Sequence, residues 1–354
     1  MASPMPSMNA SPEHDDGELA YKDAVFISTH KFVGGPGTPG VLVAKRALFQ
    51  NRTPTVPGGG TILFVSPSLQ TYHPEPEIRE EAGTPGIVES IRAGLLFALK
   101  EAVGAEEIGR RETSFARRAL ASWGANPRID ILGNPELDRL AVVTLGVRHT
   151  DGRLLHSHFV AALLNDLFGI QVRSGCFCAG PYMHRLYPID RGWSSWMEQQ
   201  SSAGNLGAKL SLVRLSFNYF TSEEAFHYVL DAVHFIADEG WKLLPLYRFE
   251  PESGLWRHRR GEPETLRLED VSFMSGRLEV AARKTTEDPG TFADNLAEAQ
   301  RLVAAVQAAP PVLALDDRPL GEEFERGRWF PLPSEALREL HELSSHGTRR
   351  RLGP

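Results

Sequence analysis

Short apolar runs and one clear helical repeat organise the first two thirds of the chain. DAVFIS (23–28), VLVAK (41–45) and TILFVS (61–66) are bounded by Gly, Pro and Ser, which is the pattern of strands. Three polar, glycine-rich loops lie among them: THKFVGGPGTPG (29–40), PGGG (57–60) and GTPG (83–86). In residues 87–103 the period changes. Ile87, Ile91, Leu95, Leu99 and Val103 recur every four residues, with Val88 and Leu96 beside them, so one helix face is apolar. A second helix is expected over 112–123. DILG (130–133) and LAVVTLGV (140–147) read as buried strands, and HFVAALLNDLFG (158–169) as a helix closed by Gly169. IQVRSG (170–175) and LVRLSF (212–217) are the next strands. A helix opens near Thr221 and runs to 239, with Ser222 and Glu224 as capping candidates. Strand–helix alternation from 23 to 239 predicts an α/β fold. Beyond about residue 250 the chain reads as polar and irregular, with one helical stretch near 291–308.

Composition narrows the function classes. The chain has 354 residues and 42% hydrophobic positions, enough for a large core. A formal net charge of −7 argues against a nucleic-acid-binding face. No apolar run is long enough for a membrane span. Residues 1–19 lack both a basic start and an apolar stretch, so they read as a disordered leader rather than a secretory signal. Two cysteines, Cys176 and Cys178, make no disulfide framework, which fits a reducing cytoplasm.

Several residues carry chemistry. Lys31 follows an apolar strand inside a loop of small residues. Partial desolvation there would free its amine as a nucleophile able to hold an aldehyde cofactor. A solvated turn lysine is the plainer alternative. Ser28, Thr29 and His30 beside it suit a phosphate. Arg214 sits in a strand between apolar neighbours, as an internal ion pair or as an anion ligand. Cys178 is a small buried hydrophobe or a nucleophile. His156 and His158 with Cys176 and Cys178 offer four N/S ligands, a rival zinc reading, although zinc sites more often use CxxC spacing. No metal is expected. His184 and Arg185 read as helix-surface residues.

The segment THKFVGGPGTPGVLV resembles the cofactor-lysine region of class V aminotransferases, the fold-type I pyridoxal 5'-phosphate (PLP) family that includes cysteine desulfurases and selenocysteine lyases. The resemblance continues in the family's order through PGGGT (57–61), EEAGTPG (80–86), RSGCFCAGP (173–181) and VRLSF (213–217). It covers roughly 20–245.

The resemblance implies a fold-type I PLP-dependent transferase. An incomplete large domain would span 20–103 and an α/β small domain 104–245, followed by a polar C-terminal extension over 246–354. Lys31 is then the Schiff-base lysine, and Ser28 and His30 contact the PLP phosphate. Thr84 reaches the phosphate of a neighbouring subunit's cofactor, which implies a homodimer with shared sites. Arg214 receives the substrate carboxylate. Arg173, grouped with it as substrate-binding, favours the thiolate of Cys178, the thiol that takes sulfur as a persulfide. The substrate is an amino acid, cysteine being favoured by Cys178, and a sulfur-acceptor protein follows. Cys-Phe-Cys stands where many desulfurases have His-His-Cys, so Cys176 is a departure. Members carry a long segment before this lysine, whereas 30 residues precede it here. Asp15, Asp16 and Asp23 precede it, but no strand holds an aspartate for the pyridine nitrogen. The alternative expectation is therefore a truncated, catalytically incompetent remnant acting in dimerisation or as a scaffold.

Overall fold

The apolar runs at the start of the chain do form strands, and each pairs with a near neighbour. β1 (Ala24–Ile27) pairs antiparallel with β2 (Val41–Ala44), so the glycine-rich loop joins two hydrogen-bonded strands. β3 (Ile62–Val65) turns back into β4 (Gln70–Tyr72), a strand too short to be visible in the sequence pattern. After the short α1 (Pro76–Arg79), the four-residue repeat becomes α2 (Ile87–Val103), which ends at Gly104. The computed structural model describes residues 22–175, 179–187, 189–261, 268–280, 290–311 and 320–351. It divides into two units, residues 1–111 and 112–354, with the boundary inside α3 (Ala105–Gly124).

The first unit buries little. Among its described residues, the buried apolar side chains are Ala93 and Ile108, with Pro54 alongside. The stripe that defines α2 faces outward instead, Ile87, Ile91 and Leu95 each being about 60% exposed. Phe26 on β1 and Leu63, Phe64 and Val65 on β3 are exposed as well. A helix face with this period is built to be covered, so this unit presents an apolar surface ready for another layer.

The second unit holds the core. Its four-stranded sheet runs in the order β5 (Ile129–Ile131), β6 (Val142–Val147), β8 (Leu212–Ser216), β7 (Arg173–Gly175), every pair antiparallel. Val143, Leu145, Val213 and Leu215 are buried on one face. Against the sheet pack α3, α4 (Ser157–Phe168) and α7 (Glu223–Glu239). Phe115, Ala119 and Trp123 of α3 line up every four residues, and Phe115 meets Phe226 at 4.8 Å. The helix ends follow the sequence signals. Gly169 closes α4 at φ 64°, and the Ser222 hydroxyl accepts the Ala225 amide at 3.1 Å to open α7. α5 (Gly180–Leu186) and α6 (Arg191–Ser202) follow β7 along the chain. Among the described residues, no helix is long and apolar enough to cross a membrane.

Residues beyond 250 differ from the sequence expectation of an irregular tail. β9 (Tyr247–Glu250) and β10 (Leu255–His258) form a hairpin. A small ladder, β11 (Val271–Ser272) with β12 (Glu279–Val280), follows. Then come α8 (Gly290–Ala308), α9 (Glu322–Gly327) and α10 (Pro333–Arg351). The physical reason is a few large aromatic anchors without sequence period. Trp329 donates to the Ala208 carbonyl at 3.0 Å, Trp196 to that of Glu323 at 2.8 Å, and Phe330 is wholly buried. Gly207 is needed for this approach, because a Cβ there would lie 2.6 Å from the Phe249 ring.

Candidate functional site

Lys31 ends a single 3-10 turn, Thr29–Lys31, placed directly after β1. Its amide donates to the Ser28 carbonyl at 3.0 Å. The glycine-rich loop then folds back on that turn. Thr38 Oγ donates to the Thr29 hydroxyl at 3.0 Å, both being buried, and Thr29 Oγ donates to the Pro39 carbonyl. Gly35 lies so close that a Cβ would stand 2.2 Å from the Thr29 carbonyl oxygen. From α2, Arg92 donates to the carbonyls of Gly34 and Pro36, each at 2.9 Å. Phe32 meets Phe97 edge-on at 5.3 Å. The turn bearing Lys31 is thus fastened from below by α2. Arg92→Ala is expected to loosen this loop by about 1–2 kcal/mol, the worth of hydrogen bonds from a charged donor. Amide hydrogen exchange should speed up over residues 34–38 and stay unchanged in the second unit.

Ser28 is half-buried, while His30 and Lys31 are exposed. The expected partial desolvation of Lys31 is not found: its side chain is open to solvent. Thr84 also stands exposed, beside Gly83 at φ 87°. Its loop is tied to the PGGG loop by the Gly83 amide donating to the Gly59 carbonyl at 2.8 Å. Asp23 is committed to Lys45 at 3.3 Å across the ends of β1 and β2. For a PLP group, these residues fit the aldehyde end, with an accessible amine on a held turn and a hydroxyl and imidazole next to it.

In the second unit the sheet register brings two predicted residues together. Arg214 of β8 lies directly opposite Arg173 of β7, and opposite Thr144 of β6 on its other side. Alternation along β8 puts Val213 and Leu215 in the core and Arg214 on the other face. Arg214 is half-buried and lines a cleft of about 460 Å³. Arg139, Thr144 and Tyr182 share that lining, and no motif marks them in the sequence. Thr144 carried a weak signal, a hydroxyl in the middle of an apolar strand. Arg139 carried none until the loop before β6 was folded. Like charges directly across an antiparallel pair repel, so Arg173 and Arg214 together favour an anion between or above them.

Cys176 and Cys178 lie outside the described residues. Just beyond them, Gly180 and Pro181 start α5, with His184 and Arg185 exposed in its last turn. The two histidines of the zinc reading are engaged elsewhere. His156 is buried. Its Nδ1 accepts the His158 amide at 3.2 Å and its Nε2 faces the Gly207 carbonyl at 3.2 Å. Because a carbonyl only accepts, Nε2 carries the proton and the ring is neutral. Burial, with the charge of His158 second, pushes its pKa down to about 3. His158 Nδ1 bonds the Gly254 carbonyl at 2.7 Å. Among the described residues, no group of three or more His, Cys, Asp or Glu is placed to hold a metal.

Residues 18–228 match the sequence model of the family Aminotransferase class-V. The cysteine desulfurase of Serratia proteamaculans is 33% identical over 161 residues, 46% of this chain and 37% of that protein. That of Escherichia coli O127:H6 is 35% identical over 162 residues, with the same coverage of 46% and 37%. The apo structure of the cysteine desulfurase from Thermococcus onnurineus NA1 superposes with a TM-score of 0.49 at 30% identity, covering 62% of this chain and 48% of that one. The chain therefore spans less than half the length of these relatives.

Proposed function

This chain belongs to the aminotransferase class-V family, and from that premise we propose that it acts on an amino acid with PLP, in the manner of a cysteine desulfurase. When bound, PLP supplies an aldehyde to hold the amino acid and a ring to accept electrons. Lys31 is the amine that would hold the cofactor, with Ser28 and His30 toward its phosphate and Thr84 serving the site of a second copy in a homodimer. Arg214 receives the substrate carboxylate as a two-pronged donor. Arg173 adds positive potential along the strand that precedes Cys178 in the chain. Cys178, as thiolate, takes the sulfur of cysteine. The carbon–sulfur bond of the substrate breaks, a sulfur–sulfur bond forms, and alanine leaves, so the chain carries a persulfide to an acceptor protein.

The observation that supports this reading most is the pairing of Arg214 with Arg173 on the sheet face that opens to the cleft. The test is covalent capture. The full chain is mixed with PLP, reduced with borohydride and mapped by mass spectrometry. One pyridoxyl group is expected on Lys31, and Lys31→Ala should lose it. Cys178→Ala should keep that adduct and lose persulfide formation from cysteine. A wild-type chain with no adduct at Lys31, or a persulfide that survives Cys178→Ala, overturns the reading.

A second reading rests on the outward stripe of α2, Ile87, Ile91 and Leu95. Under it the chain is a non-catalytic remnant that works by association. It expects assembly through this face, blocked by Ile91→Glu, with no pyridoxyl adduct at Lys31.

A further inference from the structure

We propose that Thr29 and Thr38 are positioning residues for Lys31: they close the glycine-rich loop so that the lysine, Ser28 and His30 meet a phosphate-bearing aldehyde together. This rests on the reading of Lys31 as the cofactor amine and adds what aims it. Residues 29–38 repeat every three positions. Thr29, Gly35 and Thr38 are buried and Phe32 is half-buried, whereas His30, Lys31, Val33, Gly34, Pro36 and Gly37 between them are exposed. The backbone takes the same step. The amide of Phe32 donates to the Thr29 carbonyl, that of Gly35 to Phe32 and that of Thr38 to Gly35, each at 2.9 Å. In a turn of three residues, side chains at i and i+3 eclipse and the two between them point elsewhere. Thr29 and Phe32 therefore turn inward together, Phe32 against Phe97 at 5.3 Å, and His30 and Lys31 are left facing out.

Two hydroxyls join the ends of this run. Thr38 shares its hydroxyl proton between the Gly35 carbonyl at 2.7 Å and the Thr29 oxygen at 3.0 Å, and the Thr29 hydroxyl donates to the Pro39 carbonyl. Both threonines are buried, Thr29 wholly so, and a buried hydroxyl that loses its partner is costly. The loop is thus closed on the turn it follows. A lysine amine alone is a charge on a flexible stem, and Lys22, ahead of β1, is exposed as well. What sets Lys31 apart is the fixed direction it shares with Ser28 and His30. An aldehyde that carries a phosphate can engage both ends at once, and the second contact then forms at high effective concentration. Because the turn is already ordered, little freedom is lost on binding.

The test needs no turnover. The full chain is treated with PLP or with pyridoxal, which lacks the phosphate, then reduced with borohydride and mapped by mass spectrometry. Labelling of Lys31 is read relative to Lys22. Wild-type Lys31 is expected to prefer PLP over pyridoxal about tenfold, the scale of one charge-assisted hydrogen bond. Thr38→Val keeps the branched shape and the backbone N–H but removes the hydroxyl, and it should abolish the preference. Thr38→Ser should retain it. Thr29→Val should behave as Thr38→Val does, and amide exchange over residues 29–38 should quicken in both. Should either valine variant fail to fold, the other carries the comparison. A merely structural role lowers the melting temperature and leaves the preference intact, and that result in folded Thr38→Val overturns the proposal. So does loss of the preference in Thr38→Ser, or a wild-type adduct at Lys31 that forms equally with both aldehydes. Absence of any wild-type adduct at Lys31 would instead overturn the PLP reading, and the positioning role with it.

Discussion

Phe330→Ala is expected to destabilise the second unit by about 3–5 kcal/mol, the usual cost of truncating a large buried aromatic side chain. Phe330 has no exposed surface. It meets His156 edge-on at 4.8 Å and Phe249 at 5.0 Å, and it neighbours Trp256 and Phe324. Trp329 beside it stacks on His156 at 5.2 Å. These two residues join a segment outside the family match to the helix that covers the sheet. Loss of the ring leaves a cavity bounded by two strands, the start of α4 and the helix α9, none of which can close it without moving the others. Guanidinium denaturation followed by tryptophan fluorescence should show a lower midpoint with little change in slope. Removing residues 246–354 altogether should leave no cooperative transition in the second unit. If the shortened chain unfolds with an unchanged midpoint, the extension is not part of the core.

The second large effect is acid unfolding governed by His156. The folded state holds this ring neutral with a pKa pushed down to about 3 by burial, whereas an unfolded histidine titrates near 6.5. Between those values the unfolded chain binds a proton that the folded chain does not. Stability is therefore fully present above pH 6.5 and is lost as pH falls, with a slope approaching about 1.4 kcal/mol per pH unit. Protonation would put a hydrogen on Nδ1, where the His158 amide already donates, and so would break the N-cap of α4 as well. Asp151 and Glu335 act lower down. Hydrogen bonds from Arg153 and from Arg328, respectively, outweigh the effect of burial and hold each carboxyl near 2. Their contribution fades only below about pH 4. The two windows are thus separable. His156→Asn keeps a good capping side chain and removes the titration, so chemical denaturation should show a clearly smaller loss of stability between pH 6.5 and 4.5 in that variant, the remainder falling to His258, whose pKa burial also lowers. A wild-type slope retained in the variant would assign the acid sensitivity to other groups.

Local signals in the sequence carried far. The four-residue stripe placed α2 at its true ends, Gly169 closed α4, and Ser222 opened α7. These features depend on neighbours a few residues away, and the chain itself supplies those. The same stripe said that a face must be covered without saying by what, and in the first unit Ile87, Ile91 and Leu95 remain outside. Past residue 250 the pattern placed α8 and missed the rest, because Phe249, Trp256, Phe324, Trp329 and Phe330 follow no period. They act as single anchors whose partners lie far off in sequence.

The lysine turn, its glycine loop and the likeness to class V enzymes were legible from the residues alone, because each depends on identity and short spacing. The placement of Arg173 across from Arg214, the turning of Arg139 into the same cleft, and the exposure of Lys31 were decided only by the tertiary structure. Strand register, loop closure and burial depend on which distant segments meet, and that information belongs to the folded chain as a whole.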